Sequence, residues 1–153
     1  MSMYDTNIYK TARKKAGLTQ EKAAAAIGVS VESLKAYEAY SRLPSFDVVG
    51  LMCIVYDAMY LAYQHDWLAS GSIKVVPEVQ VLDLPRASIQ LINKVVRFAE
   101  QHRDRELLQI AEDGVIDDTE RPLFDAILAD LDDLVRAALN LKLSEEVHHH
   151  AEN

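Results

Sequence analysis

The stretch Gly17-Leu18-Thr19-Gln20-Glu21-Lys22-Ala23-Ala24-Ala25-Ala26-Ile27-Gly28-Val29-Ser30-Val31-Glu32-Ser33-Leu34-Lys35-Ala36-Tyr37-Glu38 decides the fold. It reads as two short helices joined by a tight turn. Thr19 is placed to cap an Ala-rich helix, and Gly28 supplies a backbone angle that a bulky residue would strain. Ser30 is placed to cap a second helix whose first turn is left open. A helix presented in this way fits the major groove of duplex DNA.

Working outward, apolar residues recur at three and four positions along nearly the whole chain, the period of α-helices. The pattern predicts helices at about 5–16, 20–26, 31–40, 46–56 and 58–68. Gly17 and Gly28 close the first two, and Leu43-Pro44-Ser45 breaks the chain after the third. Tyr37, Val48, Leu51, Met52, Val55 and Leu61, with Leu18, Ile27 and Leu34, are the expected core of this front domain, residues 1–69. Residues 70–84, with Gly71 and Pro77 and a valine-rich run, read as an extended linker whose Val79, Val81 and Leu82 pack on something rather than face water.

A second helical domain is expected over 85–144, with helices at about 86–102, 104–112 and 119–143, followed by a polar tail, 145–153. The last helix keeps Phe124, Ile127, Leu131, Leu134 and Leu141 on one heptad seam. About 25 helical residues extend roughly 37 Å, more than one small hairpin covers, so this seam is expected to meet a second copy of the chain. The bland alternative is that the two preceding helices cover it all.

The leading stretch resembles the Cro/CI-type (XRE) helix-turn-helix regulators across roughly residues 8–67. The resemblance rests on Leu18-Thr19-Gln20, Ile27-Gly28-Val29-Ser30, Glu38 and Arg42-Leu43-Pro44 arriving in register. It implies an all-α chain with a five-helix lambda-repressor-like DNA-binding domain followed by a three-helix C-terminal domain. It implies further that Gln20 holds a phosphate, and that Ser30, Val31, Glu32, Lys35 and Ala36 lie at the base-facing end of the reading helix. Lys10, Lys14 and Arg42 are expected as looser phosphate contacts, and Arg13 with Glu38 as an ion pair tying the first helix to the end of the third. Relatives place a glycine where this chain has Tyr40, so either Tyr40 takes a positive φ or the helix runs on.

The function implied is a sequence-specific transcriptional regulator, a homodimeric repressor on a double-stranded operator. The alternatives are a protein-interaction module or an antitoxin-like partner built on the same scaffold. The net charge of −8 runs against a DNA binder, but it is unevenly spread. Residues 1–67 hold seven basic and seven acidic groups, whereas 68–153 hold nine and seventeen.

No enzyme, cofactor or metal is expected. Asp113 to Glu120 copies only the second half of a calcium loop, and Gln109 and Ala111 stand where ligands are needed. Asp118 or Thr119 capping the next helix explains the same residues. His65 and His102 look isolated, and His148, His149 and His150 form no organised ligand set. Cys53 reads as a small buried hydrophobe. Without an apolar run long enough to span a bilayer, and without a signal-peptide pattern at the start, the cytoplasm is the expected location.

Overall fold

A computed structural model describes residues 6–73 and 77–148. Among the described residues the regular structure is all α-helical, with no strand: α1 Ile8–Lys15, α2 Gln20–Ile27, α3 Val31–Glu38, α4 Phe46–Tyr56, α5 Tyr60–Ala69, α6 Leu84–Glu100, α7 Arg103–Ile110 and α8 Arg121–His148. The chain divides into two compact units, residues 1–80 and 81–153.

In the first unit, side chains at the helix starts satisfy the orphan N–H groups. Asn7, Thr19, Ser30 and Ser45 accept from Lys10, Lys22, Ser33 and Val48 respectively. Gly28 closes α2 in the left-handed region at φ +81°, so α3 departs sharply from α2. Around the α2–α3 pair, α1, α4 and α5 bury Ile8, Tyr9, Ala12, Leu34, Met52 and Leu61. Ala23 and Ala24 are fully covered, so their small side chains let α2 lie close to its neighbours.

Two sequence expectations need correction here. The buried face of α4 is Val49, Met52, Cys53 and Tyr56, while Leu51 is exposed and Val48 and Val55 are only half-buried. Because α4 is apolar nearly all round, its periodicity does not pick a face. His65 is also far from isolated: it is buried and shares a 2.7 Å hydrogen bond with the Tyr9 hydroxyl, and the Phe46 ring meets it edge-on.

Of the linker expected over 70–84, the described residues before Leu84 have no helix or strand, and Leu84 already opens α6. Val79 is fully buried there, and Val81 and Leu82 are half-buried.

The second unit is an α6–α8 antiparallel hairpin with α7 between them in sequence and packed on both. Gln90 accepts from Asn140, Lys94 pairs with Asp133, and Arg103 pairs with Asp130, so residue numbers fall along α8 as they rise along α6 and α7. Asp117, rather than Asp118 or Thr119, caps the start of α8: it accepts from the backbone of Thr119 and Glu120, and Glu120 reaches back to the Asp117 N–H. This reciprocal box accounts for the calcium-loop-like spacing without a metal. α8 runs on through His148, past the expected end at 143, and His149 and His150 lie outside the described residues.

The seam expected to join two chains turns inward. Ile127 is fully buried, and Phe124, Leu131, Leu134 and Leu141 are half-buried within the unit. α6 and α7 both pack on α8, so much of this seam is used inside one chain.

Candidate nucleic-acid interface

The N-terminal half of α3 presents a mixed surface. Glu32 and Lys35 are exposed, Val31 and Ala36 are half-exposed, and Leu34, Tyr37 and Glu38 anchor the opposite side of the helix in the unit. Ser30 has its oxygen committed to the cap: it accepts from the Ser33 N–H at 3.0 Å, and its hydroxyl lies 2.9 Å from the Ser33 hydroxyl. Val31, Glu32, Lys35 and Ala36, four of the five expected base-facing positions, thus reach solvent, and the helix bearing them is held from behind.

What holds it is a clasp around Glu38. The Arg13 guanidinium donates to both carboxylate oxygens, Nε to Oε1 at 2.5 Å and Nη2 to Oε2 at 2.9 Å. A third N–H, on Nη1, donates to the Leu18 carbonyl at 2.7 Å, in the turn before α2. The Gln20 amide donates to Oε2 at 2.8 Å. One carboxylate therefore gathers α1, the start of α2 and the end of α3. Burial alone would raise the Glu38 pKa, but the hydrogen bonds from Arg13 and Gln20 and the Arg13 charge outweigh it and hold the carboxyl below the usual range. The hydrogen bond to Glu38 likewise raises Arg13. Beside the clasp, the buried Tyr56 hydroxyl is pushed up to about 12 by burial, with the Glu38 charge adding to the shift.

Two of the expected phosphate contacts also have partners within the unit. Gln20 donates to Glu38, so its amide N–H reaches inward; its place at the N-terminus of α2 still leaves the helix-end dipole facing out. Arg42 lies over the Tyr37 ring at 5.1 Å, with Nη2 3.4 Å from the Tyr37 hydroxyl. Lys10 and Lys14 stand exposed on α1. Arg42 itself stays exposed, and Gln20 is half-buried.

A second tie escaped the sequence reading. Tyr40 follows α3 in the left-handed region at φ +55°, which resolves the question posed by the missing glycine. Its hydroxyl accepts from the Ile8 N–H at 2.9 Å, and its ring meets Tyr9 edge-on at 6.0 Å. Asn7 adds to this by donating its side-chain amide to the Tyr37 carbonyl at 2.9 Å. The backbone cost of a tyrosine in this region is offset by these contacts between the two ends of the reading assembly. A tyrosine two residues beyond Glu38 was the only signal available.

With this geometry in place, the comparisons with known proteins agree with it: residues 10–62 match the family model described as Helix-turn-helix. The first unit is a helix-turn-helix domain of the Cro/CI (XRE) type, a family of DNA-binding regulators. No curated protein and no solved structure matches the chain. Among the described residues no group of three or more His, Cys, Asp or Glu could hold a metal ion, and no helix is long and apolar enough to cross a membrane.

Proposed function

We propose that the chain is a sequence-specific transcriptional regulator that acts as a homodimeric repressor. The observation that carries this reading is the solvent-facing surface of α3, with Val31, Glu32, Lys35 and Ala36 open while Leu34 and Tyr37 anchor its back. In a major groove, Glu32 is suited to accept from a cytosine amino group, Lys35 to reach a guanine or a phosphate, and Val31 and Ala36 to meet thymine methyls. Lys10 and Lys14 supply phosphate contacts that fix register without reading sequence. Two reading helices about 34 Å apart would clasp a near-palindromic operator and exclude polymerase by bulk, in the cytoplasm.

Selection of bound sites from random DNA, followed by a salt titration on the recovered site, tests it. A recovered half-site repeated about one helical turn away, with affinity falling steeply as salt rises, is the expected result. No enriched site overturns the reading.

A second reading, a protein-interaction module on the same scaffold, draws on the inward hydrogen bond of Gln20 to Glu38 and on the acidic net charge. The same titration separates the two, because a module without phosphate contacts shows no salt-dependent DNA binding.

A further inference from the structure

Within the first unit one polar group stands without a partner. Tyr56, the last residue of α4, is 3% exposed, and among the described residues its hydroxyl is the buried side-chain polar atom that forms no hydrogen bond. Folded chains seldom leave such a donor unpaired, so an instance asks for a use. The hydroxyl stands beside the clasp. Burial pushes its pKa up to about 12, the Glu38 charge adds to this and the Arg13 charge opposes it, so it is a neutral O–H donor at any ordinary pH. α4 packs on both α1 and α2, the helices that carry Arg13 and Gln20.

The clasp in turn has one replaceable donor. Glu38 Oε1 accepts from Arg13 Nε, while Oε2 accepts from both Arg13 Nη2 and the Gln20 amide, which fills its two lone pairs. The two Arg13 bonds are buried and join opposite charges; the Gln20 bond has a neutral donor and is only part-buried. Gln20 is therefore the donor that leaves first. It is also the side chain that stands at the N-terminus of α2, where a phosphate is expected. Leaving with nothing in its place would strip a buried carboxylate of a donor at the moment DNA binds.

We propose that Tyr56 is a positioning residue, which takes over the hydrogen bond to Glu38 when Gln20 turns outward to a DNA phosphate. The phenol O–H donates to the lone pair of Oε2 that Gln20 releases. α2 then gains a phosphate contact while the tie between α1 and α3 keeps its full set of donors. The inference rests on the DNA-binding reading above, and it reconciles the inward Gln20 with a role at the DNA backbone.

Two double-variant cycles on the full chain test it, one without DNA and one with it. In urea unfolding, Tyr56→Phe alone is expected to leave the unfolding constant of the first unit within about twofold or to stabilise the unit, because it removes a hydroxyl that has no partner. Gln20→Ala alone is expected to cost no more than about threefold, since Tyr56 steps in. The combined Gln20→Ala/Tyr56→Phe chain is expected to lose about tenfold more than the two single effects multiplied, because the carboxylate then has no second donor to turn to. A double variant that does not fold while both singles do is the same result in its extreme form. Tyr56→Phe that destabilises by itself shows a hydroxyl already bonded, to a buried water for instance, and overturns the inference; so do single effects that simply multiply.

On the selected operator, Tyr56→Phe is expected to weaken binding about fivefold, as Gln20→Ala does, and to change nothing further once Gln20 is replaced. Unchanged affinity for Tyr56→Phe shows Gln20 serving both acceptors at once, and overturns the hand-over. A chain that shows the coupling in urea but binds no DNA keeps the exchange between Gln20 and Tyr56 and loses the regulator reading. A chain that binds an operator without any coupling does the reverse.

Discussion

Arg13 and Glu38, twenty-five residues apart in the chain, meet through two hydrogen bonds of 2.5 and 2.9 Å with almost no solvent on either side chain. The pair belongs to the scaffold rather than to the reading surface, since both groups lie behind α3.

Removing one partner strands the other as a buried charge. Glu38→Ala is therefore expected to destabilise the first unit by on the order of 3 kcal/mol in urea unfolding, with Arg13→Ala close behind. The double variant should lose less than the sum of the two, as a thermodynamic cycle would reveal. An unchanged midpoint for Glu38→Ala contradicts the clasp.

The reading positions and the loose cations should differ in kind. Alanine at Glu32 or Lys35 is expected to relax base preference at one operator position, at about 1–3 kcal/mol of lost discrimination. Alanine at Lys10 or Lys14 should weaken every sequence alike and lower the salt slope by about one. Binding-site selection on each variant separates these outcomes, and identical preferences for all four would remove the base-reading assignment.

His65 sets an acid limit. Burial lowers its pKa, and the nearby Asp66 only partly opposes this. The unfolded chain thus takes up a proton near the ordinary histidine value of about 6.5, while the folded one resists. Stability is full above that value and falls as the pH drops from it toward the lower folded value. Melting of the first unit between pH 7.5 and 5.5 should show this slope, and His65→Gln should flatten it. Glu38 contributes below this window, because its depressed pKa makes its stabilisation fail only at more acid pH.

Tyr40→Phe keeps the ring against Tyr9 but leaves the Ile8 N–H without its acceptor. A loss of about 1 kcal/mol is expected. Tyr40→Gly relieves the positive φ yet loses both contacts, and should be the worse variant in the same melt.

In the second unit, Asn140 is fully buried and donates to Gln90 at 2.9 Å across the hairpin. Asn140→Leu is expected to cost about 1–2 kcal/mol by leaving the Gln90 carbonyl short of a donor, while joint replacement of both by leucine recovers much of it. Denaturant midpoints of the three chains check this.

Much of this architecture was legible in the residues. α4 begins where Ser45 caps it, and the Thr19, Gly28 and Ser30 signals act locally, so short stretches suffice to read them. The Arg13–Glu38 tie was legible through family resemblance alone, since nothing in either residue's neighbours demands it. What stayed hidden depends on distant partners: Tyr40 with Ile8 is 32 positions apart, and Tyr9 with His65 is 56. The Gln20–Glu38 hydrogen bond stayed hidden too, because an open chain does not show which acceptors folding will bring within reach. For α4 and the α8 seam, apolar residues on several faces leave the buried one to tertiary packing.

Asn7 and Ile8, at the threshold of α1, are fastened to Tyr37 and Tyr40 at the far end of the helix that faces solvent. The start of α1 is thereby mechanically joined to the helix that carries the fingertip. Cutting the chain back past Asn7, or fusing a bulky carrier directly onto it, would slacken the reading head from behind, and any tag there is better set off by a spacer.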